Sequence, residues 1–327
     1  MQKVVFSGIQ PSGNLHIGNY LGAIRNWVDN QEDGLNIFCV VDMHAITIEQ
    51  KPQNLREKSI DTVALLLASG INPDKSILFV QSKNPDHANL AWILNCNIFM
   101  GQMSRMTQFK QKSQNKKSVS VGLFDYPALM AADILLYNTT HVPVGEDQKQ
   151  HVELARDVAE RFNFRYGETF ILPRPVIAKS GARIMSLQNP LKKMSKSDPD
   201  ENASIFLLDK PDSIAKKVSM AVTDSQNEVR AAYDKPGITN LLVIYSELSQ
   251  ISFEKAQEEF VGKTYRDFKA RVSEIVIEKL KPIQKRYAEI RSNEKYLHDL
   301  IEKWTSKAYS ISHKKLEEIY DRVGFVR

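Results

Sequence analysis

Residues 3–19 read KVVFSGIQPSGNLHIGN, a short β-branched run that breaks into a turn and re-emerges as a helix-like segment. Lys3–Ser7 has the composition of a strand buried on both faces. Gly8, Gly13 and Ser12 let the backbone turn tightly and approach a ligand closely. A helix starting near Ile17 aims its first N–H groups at that place, which favours phosphate. In open parallel sheets, ligands sit beyond the carboxyl ends of the strands. One such junction proves little, because many strand–turn–helix junctions contain glycine.

Working outward, Asn36–Val41, Ser76–Gln81 and His141–Val144 repeat the strand pattern. Between them lie helical spacings over Ile17–Asn30 and Pro52–Gly70, the latter bounded by proline in its first turn and glycine at its end. Another helix follows Asn84-Pro85 to about Phe99. A further one opens at Pro127 and runs through Met130 and Leu135, and Asp147–Phe162 is amphipathic. The βαβα order predicts an α/β fold with a Rossmann-like doubly wound parallel sheet. Lys110–Ser120 (KQKSQNKKSVS) reads as a polar, basic loop, and Ser180–Pro199 closes the sheet region. From about Ser213 only helices are expected, with a turn at Pro236-Gly237 and an interruption at Pro282. The division is a Rossmann-like domain over 1–200 and an α-helical domain over 201–327.

The 327 residues are 42% hydrophobic and 25% charged, ordinary globular usage. Two cysteines, Cys39 and Cys96, exclude a disulfide framework, a Cys-rich zinc module and a four-thiolate iron–sulfur cluster. The first ten residues lack a signal-peptide core, and no apolar run approaches the ~18 residues of a membrane span. A cytoplasmic protein without a membrane partner is the expectation. From Lys263 onward there are 16 Lys/Arg against 10 Asp/Glu, so the basic excess sits in the last fifth. A solvated helical face and a polyanion partner both explain that bias.

No GxGxxG follows the first strand, and Gly262-Lys263-Thr264 has Gln257 where a P-loop needs glycine. That demotes a dehydrogenase and a P-loop NTPase. Lys193-Met194-Ser195-Lys196-Ser197 places two lysines three apart on a Ser-rich loop, suited to a polyphosphate but also ordinary for a surface. Asp133 sits in Leu129–Leu136, apolar on almost every side, so it needs a donor partner. The residues alone favour a structural hydrogen bond there. The seven histidines show no HxxxH spacing, and no protein-bound metal is expected.

HIGN at His16–Asn19 followed by KMSKS at Lys193–Ser197 resembles the HIGH and KMSKS signatures of class I aminoacyl-tRNA synthetases. Within that class the chain is similar to the bacterial-type tryptophanyl-tRNA synthetases. The likeness rests on FSGIQPSG (Phe6–Gly13), RMTQFK (Arg105–Lys110), YPALMAADILLYN (Tyr126–Asn138), VPVGEDQKQH (Val142–His151), GARIMSL (Gly181–Leu187) and KPGITNL (Lys235–Leu241). Asn19 stands where the signature has its second histidine.

The resemblance implies ATP-dependent activation of L-tryptophan to tryptophanyl-adenylate and pyrophosphate, then transfer to the 3′-terminal adenosine of tRNA(Trp). It implies ATP contacts at Gln10, Pro11, Ser12, Gly18, Asn19, Gly145, Glu146, Asp147, Ile184 and the loop Lys193, Met194, Ser195, Lys196 and Ser197. His16, Lys193, Ser195 and Lys196 would be catalytic, and Gln108, Lys110 and Lys112 would help pyrophosphate leave. Asp133 would accept the indole N–H, with Phe6, Met130, Val142 and Val144 as walls and His44 and Gln148 as polar contacts. Mg²⁺ would arrive with ATP, the chain would be a homodimer, and the basic helices would meet the anticodon side of the tRNA. The rivals are a tyrosine-specific sister, a nucleotidylyltransferase of the HIGH superfamily and a non-catalytic RNA-binding paralogue.

Overall fold

The computed structural model describes residues 2–11, 14–114, 118–177, 183–196 and 198–326. Five parallel strands form one sheet: β1 (Val4–Ile9), β2 (Leu35–Val40), β3 (Ser76–Val80), β4 (His141–Pro143) and β5 (Arg174–Val176). Their order is β3-β2-β1-β4-β5, so the winding reverses between β1 and β4. The crevice beyond the carboxyl ends of those two strands is where such a sheet binds ligands.

Four strands match the sequence expectation because helices cover both faces, leaving continuous apolar runs such as Ile37–Val40, all buried. The fifth was not expected. β5 is three residues long and contains Pro175, which an edge strand tolerates.

The helices need more correction. Val121–Leu135 begins six residues before Pro127, because the Ser120 hydroxyl accepts the Leu123 N–H and caps it. Part of the expected basic loop is the helix Thr107–Ser113. Its first N–H donates to Gln150 Oε1 at 2.9 Å. Pro282 does not interrupt its run, since Tyr265–Ser292 continues through it. Pro236 opens the helix Pro236–Ser249 rather than marking a turn.

The helical part is joined closely to the sheet. The last helix, Glu294–Val323, lies against β3, and the buried Trp304 donates its indole N–H to the Pro73 carbonyl at 3.2 Å. Asp61 of the helix Pro52–Ala68 accepts from Tyr287 and Arg291, both at 2.9 Å. Among the described residues one apolar core runs from the strands into the helices of 236–323.

Gly237 tests that packing. A Cβ there would lie 2.0 Å from the Val222 carbonyl oxygen, which is backbone and cannot rotate away. Gly237→Ala should therefore lower stability by about 3 kcal/mol. Denaturant unfolding measures this, and an unchanged midpoint would contradict the packing described.

Candidate active site

The phosphate-facing end is built around His16. Its backbone is extended (φ −115°, ψ 167°), and its Nδ1 accepts the Asn19 N–H at 3.3 Å. Asn19 Oδ1 returns a bond from the His16 N–H at 3.1 Å, closing a capping box. With Nδ1 an acceptor, the ring proton belongs on Nε2. Burial, then the charges of Lys196 and Lys193, push His16 down from 6.5 to about 3, so it is a neutral donor. Gly18 is glycine because a Cβ would sit 3.0 Å from the His16 ring and 3.4 Å from Ile184 Cβ.

One strip of backbone holds both signature segments. Ile17 N–H donates to the Ile205 carbonyl and Leu207 N–H to the Leu15 carbonyl, both at 2.9 Å. From the other side, Ser204 Oγ donates to the Ser195 carbonyl at 3.1 Å. Lys217 fixes the strip through the Ser204 carbonyl at 2.9 Å and Asp209 Oδ2 at 2.7 Å. Residues 184–186 and 192–194 pair as a short ribbon, with Met194 N–H on the Ile184 carbonyl at 3.0 Å.

Met194 and Ile184 are buried, which anchors the loop between its two lysines. The half-buried Lys196 donates to the Gln10 carbonyl at 3.1 Å, and loss of water brings its ammonium down to about 8. Lys193 is exposed, Pro11 buried, and Ser12 and Ser197 lie outside the described residues.

Across the crevice, Gly145 leads into the short turn Glu146–Gln148. Asp147 accepts from Gln108 Nε2 at 3.2 Å and Gln148 Nε2 at 2.9 Å. Tyr126 Oη meets Gln108 Oε1 at 3.2 Å and His151 Nε2 at 2.8 Å, and the Lys112 ammonium lies 5.0 Å over its ring. Burial, then Asp147, pushes the Tyr126 phenol up to about 12. His151 is lowered to about 4 by burial, then Lys112 and His44. Gln108 and Lys112 thus join this wall, whereas Lys110 is exposed on the same helix and takes no part in these contacts.

The third part is Asp133, fully buried. Its Oδ2 meets His44 Nε2 at 2.8 Å, and its Oδ1 accepts from Gln81 Nε2 and His87 Nδ1, both at 2.6 Å. Burial alone would raise its pKa, but the hydrogen bonds from His44 and His87 outweigh it and hold the group below the usual carboxylate range. Phe6 stacks on Tyr137 with ring centroids 5.6 Å apart. Val142 is buried on β4, while Met130, Val144 and Gln148 are half-buried. His44 also stands edge-on to Tyr126 at 6.0 Å. Contacts therefore lead from Asp133 through His44, Tyr126 and Gln108 to Asp147.

A family model described as tRNA synthetases class I (W and Y) matches residues 2–281. The chain belongs to that family. The tryptophan–tRNA ligase of Wolinella succinogenes is 57% identical over 327 residues, all of both chains. The crystal structure of tryptophanyl-tRNA synthetase from Mycoplasma pneumoniae superposes with a TM-score of 0.92 at 36% identity, covering 100% of this chain and 99% of that one. That of the Campylobacter jejuni enzyme, complexed with ADP and tryptophan, gives 0.86 at 34%, covering 98% and 100%.

The motifs named His16, Asn19, Lys193 and Lys196, but sequence reasoning did not name Gln81, His87, Tyr126 and Tyr137 as site residues. A signal existed for two of them. Tyr126, Asp133 and Tyr137 are spaced by seven and four, one face of a helix. Nothing local marks Gln81 and His87, which reach Asp133 across 52 and 46 residues.

The neutral His16 gives a direct test. Its unfolded counterpart takes a proton near 6.5, so the stability gained from the neutral ring is present above that pH and drains away toward about 3. In ¹⁵N NMR across pH 5–8 the ring should stay in one neutral form protonated on Nε2. A titration midpoint near 6.5 would contradict it.

Proposed function

We propose that the chain is a tryptophan–tRNA ligase that first makes tryptophanyl-adenylate. The observation that carries this reading is the polarity of the crevice: a neutral histidine and lysines at one end, a buried carboxylate at the other. Such a site suits a molecule whose polyphosphate and single-donor ring point in opposite directions. Indole offers one N–H and no acceptor, so one acceptor in an apolar slot reads it. The near-identical length and 57% identity of the Wolinella ligase support tryptophan over tyrosine.

The tryptophan carboxylate is already a competent nucleophile and attacks the α-phosphorus of ATP, forming the acyl–phosphate bond as pyrophosphate leaves. No side chain need form a covalent intermediate. His16 Nε2–H, Lys193 and Lys196 oppose the charge growing on the phosphates, so catalysis is positioning plus electrostatic stabilisation. Gln108 and Lys112 would assist the leaving group. In the second step the 3′-terminal adenosine hydroxyl attacks the acyl carbon, AMP departs and the hydroxyl proton is lost.

The groups at the phosphate end are lysines and a neutral imidazole. Among the described residues no three His, Cys, Asp or Glu side chains gather to hold a metal. Mg²⁺ therefore fits as part of MgATP, keeping phosphate and water ligands. Residues 1–200 would carry this chemistry and the basic helices of 201–327 the anticodon side of tRNA(Trp).

A homodimer is supported by an apolar face. The helices Asp86–Asn95, Met100–Met103 and Val121–Leu135 pack together and leave Trp92, Phe99, Met100 and Val121 exposed. No helix among the described residues is long and apolar enough to cross a membrane, and a tRNA substrate suits the cytoplasm.

Amino-acid-dependent ATP–pyrophosphate exchange, run with all twenty amino acids and no tRNA, tests the reading. Tryptophan alone should support exchange. Tyrosine-dependent exchange would move the chain to the sister specificity, and none from folded protein would favour the RNA-binding paralogue. Lys196→Ala should lower the exchange rate by about 100-fold and leave equilibrium tryptophan binding unchanged. Weakened binding at an unchanged rate would refute its role.

A further inference from the structure

Behind Asp133 runs a buried chain of polar groups that the adenylation chemistry does not use. His87 bonds Asp133 through Nδ1, and its Nε2 meets Tyr137 Oη at 2.8 Å. Asn84 Nδ2 donates to Tyr137 Oη at 3.2 Å and to Ser312 Oγ at 2.9 Å. Ser312 Oγ in turn donates to Asp86 Oδ2 at 2.6 Å. Asn84, Asp86, His87, Tyr137 and Ser312 are all buried. Ser312 belongs to the final helix, so the chain ties the pocket to the last element of the fold.

Asp133, as a carboxylate, only accepts, so the 2.6 Å contact to His87 Nδ1 puts a ring proton on Nδ1. The two Asn84 amide protons serve Tyr137 and Ser312, so Tyr137 Oη accepts from Asn84, and against a neutral His87 ring protonated on Nδ1 its own proton goes to Nε2. The Tyr137 hydroxyl thereby holds the ring from behind in the orientation that donates to the carboxylate.

A carboxylate offers about four acceptor directions, two on each oxygen. Gln81 and His87 take both on Oδ1, and His44 takes one on Oδ2. Among the described residues, one direction on Oδ2 is left over. Gln81 Oε1 has no partner among the described residues although it is buried. The Gln81 amide N–H is committed to Asp133 Oδ1 at 2.6 Å.

We propose that Tyr137, His87 and Gln81 are specificity-determining positioning residues: they saturate Asp133 Oδ1, lock the carboxylate in place, and leave a single acceptor on Oδ2 for a ligand N–H. The inference rests on the reading of Asp133 as the indole acceptor. Without the Tyr137 hydroxyl, His87 Nε2 loses that partner and the ring is free to tilt. Its Nδ1–H would then draw away from the carboxylate, which moves or loses a donor.

Steady-state pyrophosphate exchange on the intact chain tests this, with circular dichroism melting to confirm folding. Tyr137→Phe removes one oxygen and should raise the tryptophan KM about tenfold, with kcat and the KM for ATP changed less than about twofold. His87→Asn, whose amide can sit where Nδ1 does, should retain more tryptophan affinity than His87→Leu. Asp133→Ala separates the two levels of the argument. If it raises the tryptophan KM while folded Tyr137→Phe and His87→Leu do not, the positioning role is refuted and the reading of Asp133 stands. If Asp133→Ala itself leaves the tryptophan KM unchanged, that reading fails and the proposal with it. Equal loss in kcat, ATP KM and tryptophan KM in Tyr137→Phe would make the chain merely structural.

Discussion

An ionised carboxylate in a protein core is tolerable only when several donors meet it, because removing it from water costs several kcal/mol. Asp133 is such a group, and much of the sheet's connectivity converges on it. The helix Val121–Leu135 supplies the carboxylate, the segment after β3 supplies Gln81 and His87, and the short helix Asp42–Ala45 after β2 supplies His44. Charge-assisted bonds of this kind are about twice as strong as neutral ones. They hold three parts of the fold in mutual register at the floor of the proposed tryptophan pocket. The same interaction that would choose the amino acid therefore also fixes the scaffold that chooses it.

The opposite end of the crevice follows a different design. His16 and the Lys193–Lys196 loop are more than 170 residues apart in sequence but hang from one strip between Ala203 and Asp209. Lys217 and Gln284 secure that strip from the helical side, the latter through the Leu207 and Asp209 carbonyls at 2.9 Å. Burial, then the nearby lysines, keep His16 neutral and donating, while loss of water brings Lys196 down to about 8.

Legibility in the sequence followed how local each feature is. β1 to β4 were readable because double-sided burial writes a continuous apolar run. β5 was not, since Pro175 at an edge hides a three-residue strand. Pro127 and Pro282 misled because helix boundaries depend on caps and packing as much as on proline, and Ser120 outweighed Pro127. The basic stretch Lys110–Ser120 reads as loop by composition, yet its first part, to Ser113, is helical, with tertiary contacts at Thr107 and Lys112. In the site, His16, Gly18, Asn19 and Lys196 sit in contiguous motifs and were named from them. The need of Asp133 for a donor was also clear from its apolar helix. The identity of those donors was not, because bonds spanning 46 to 89 residues leave no periodic trace.

The central claim is that Asp133 reads a single N–H. It is tested most directly by calorimetric binding of L-tryptophan and of its benzothiophene analogue, in which sulfur replaces the indole N–H at nearly constant shape. Tryptophan should bind the native chain more tightly by about tenfold or more, and the difference should vanish in Asp133→Ala. Equal binding of the two ligands by the native chain would contradict the claim.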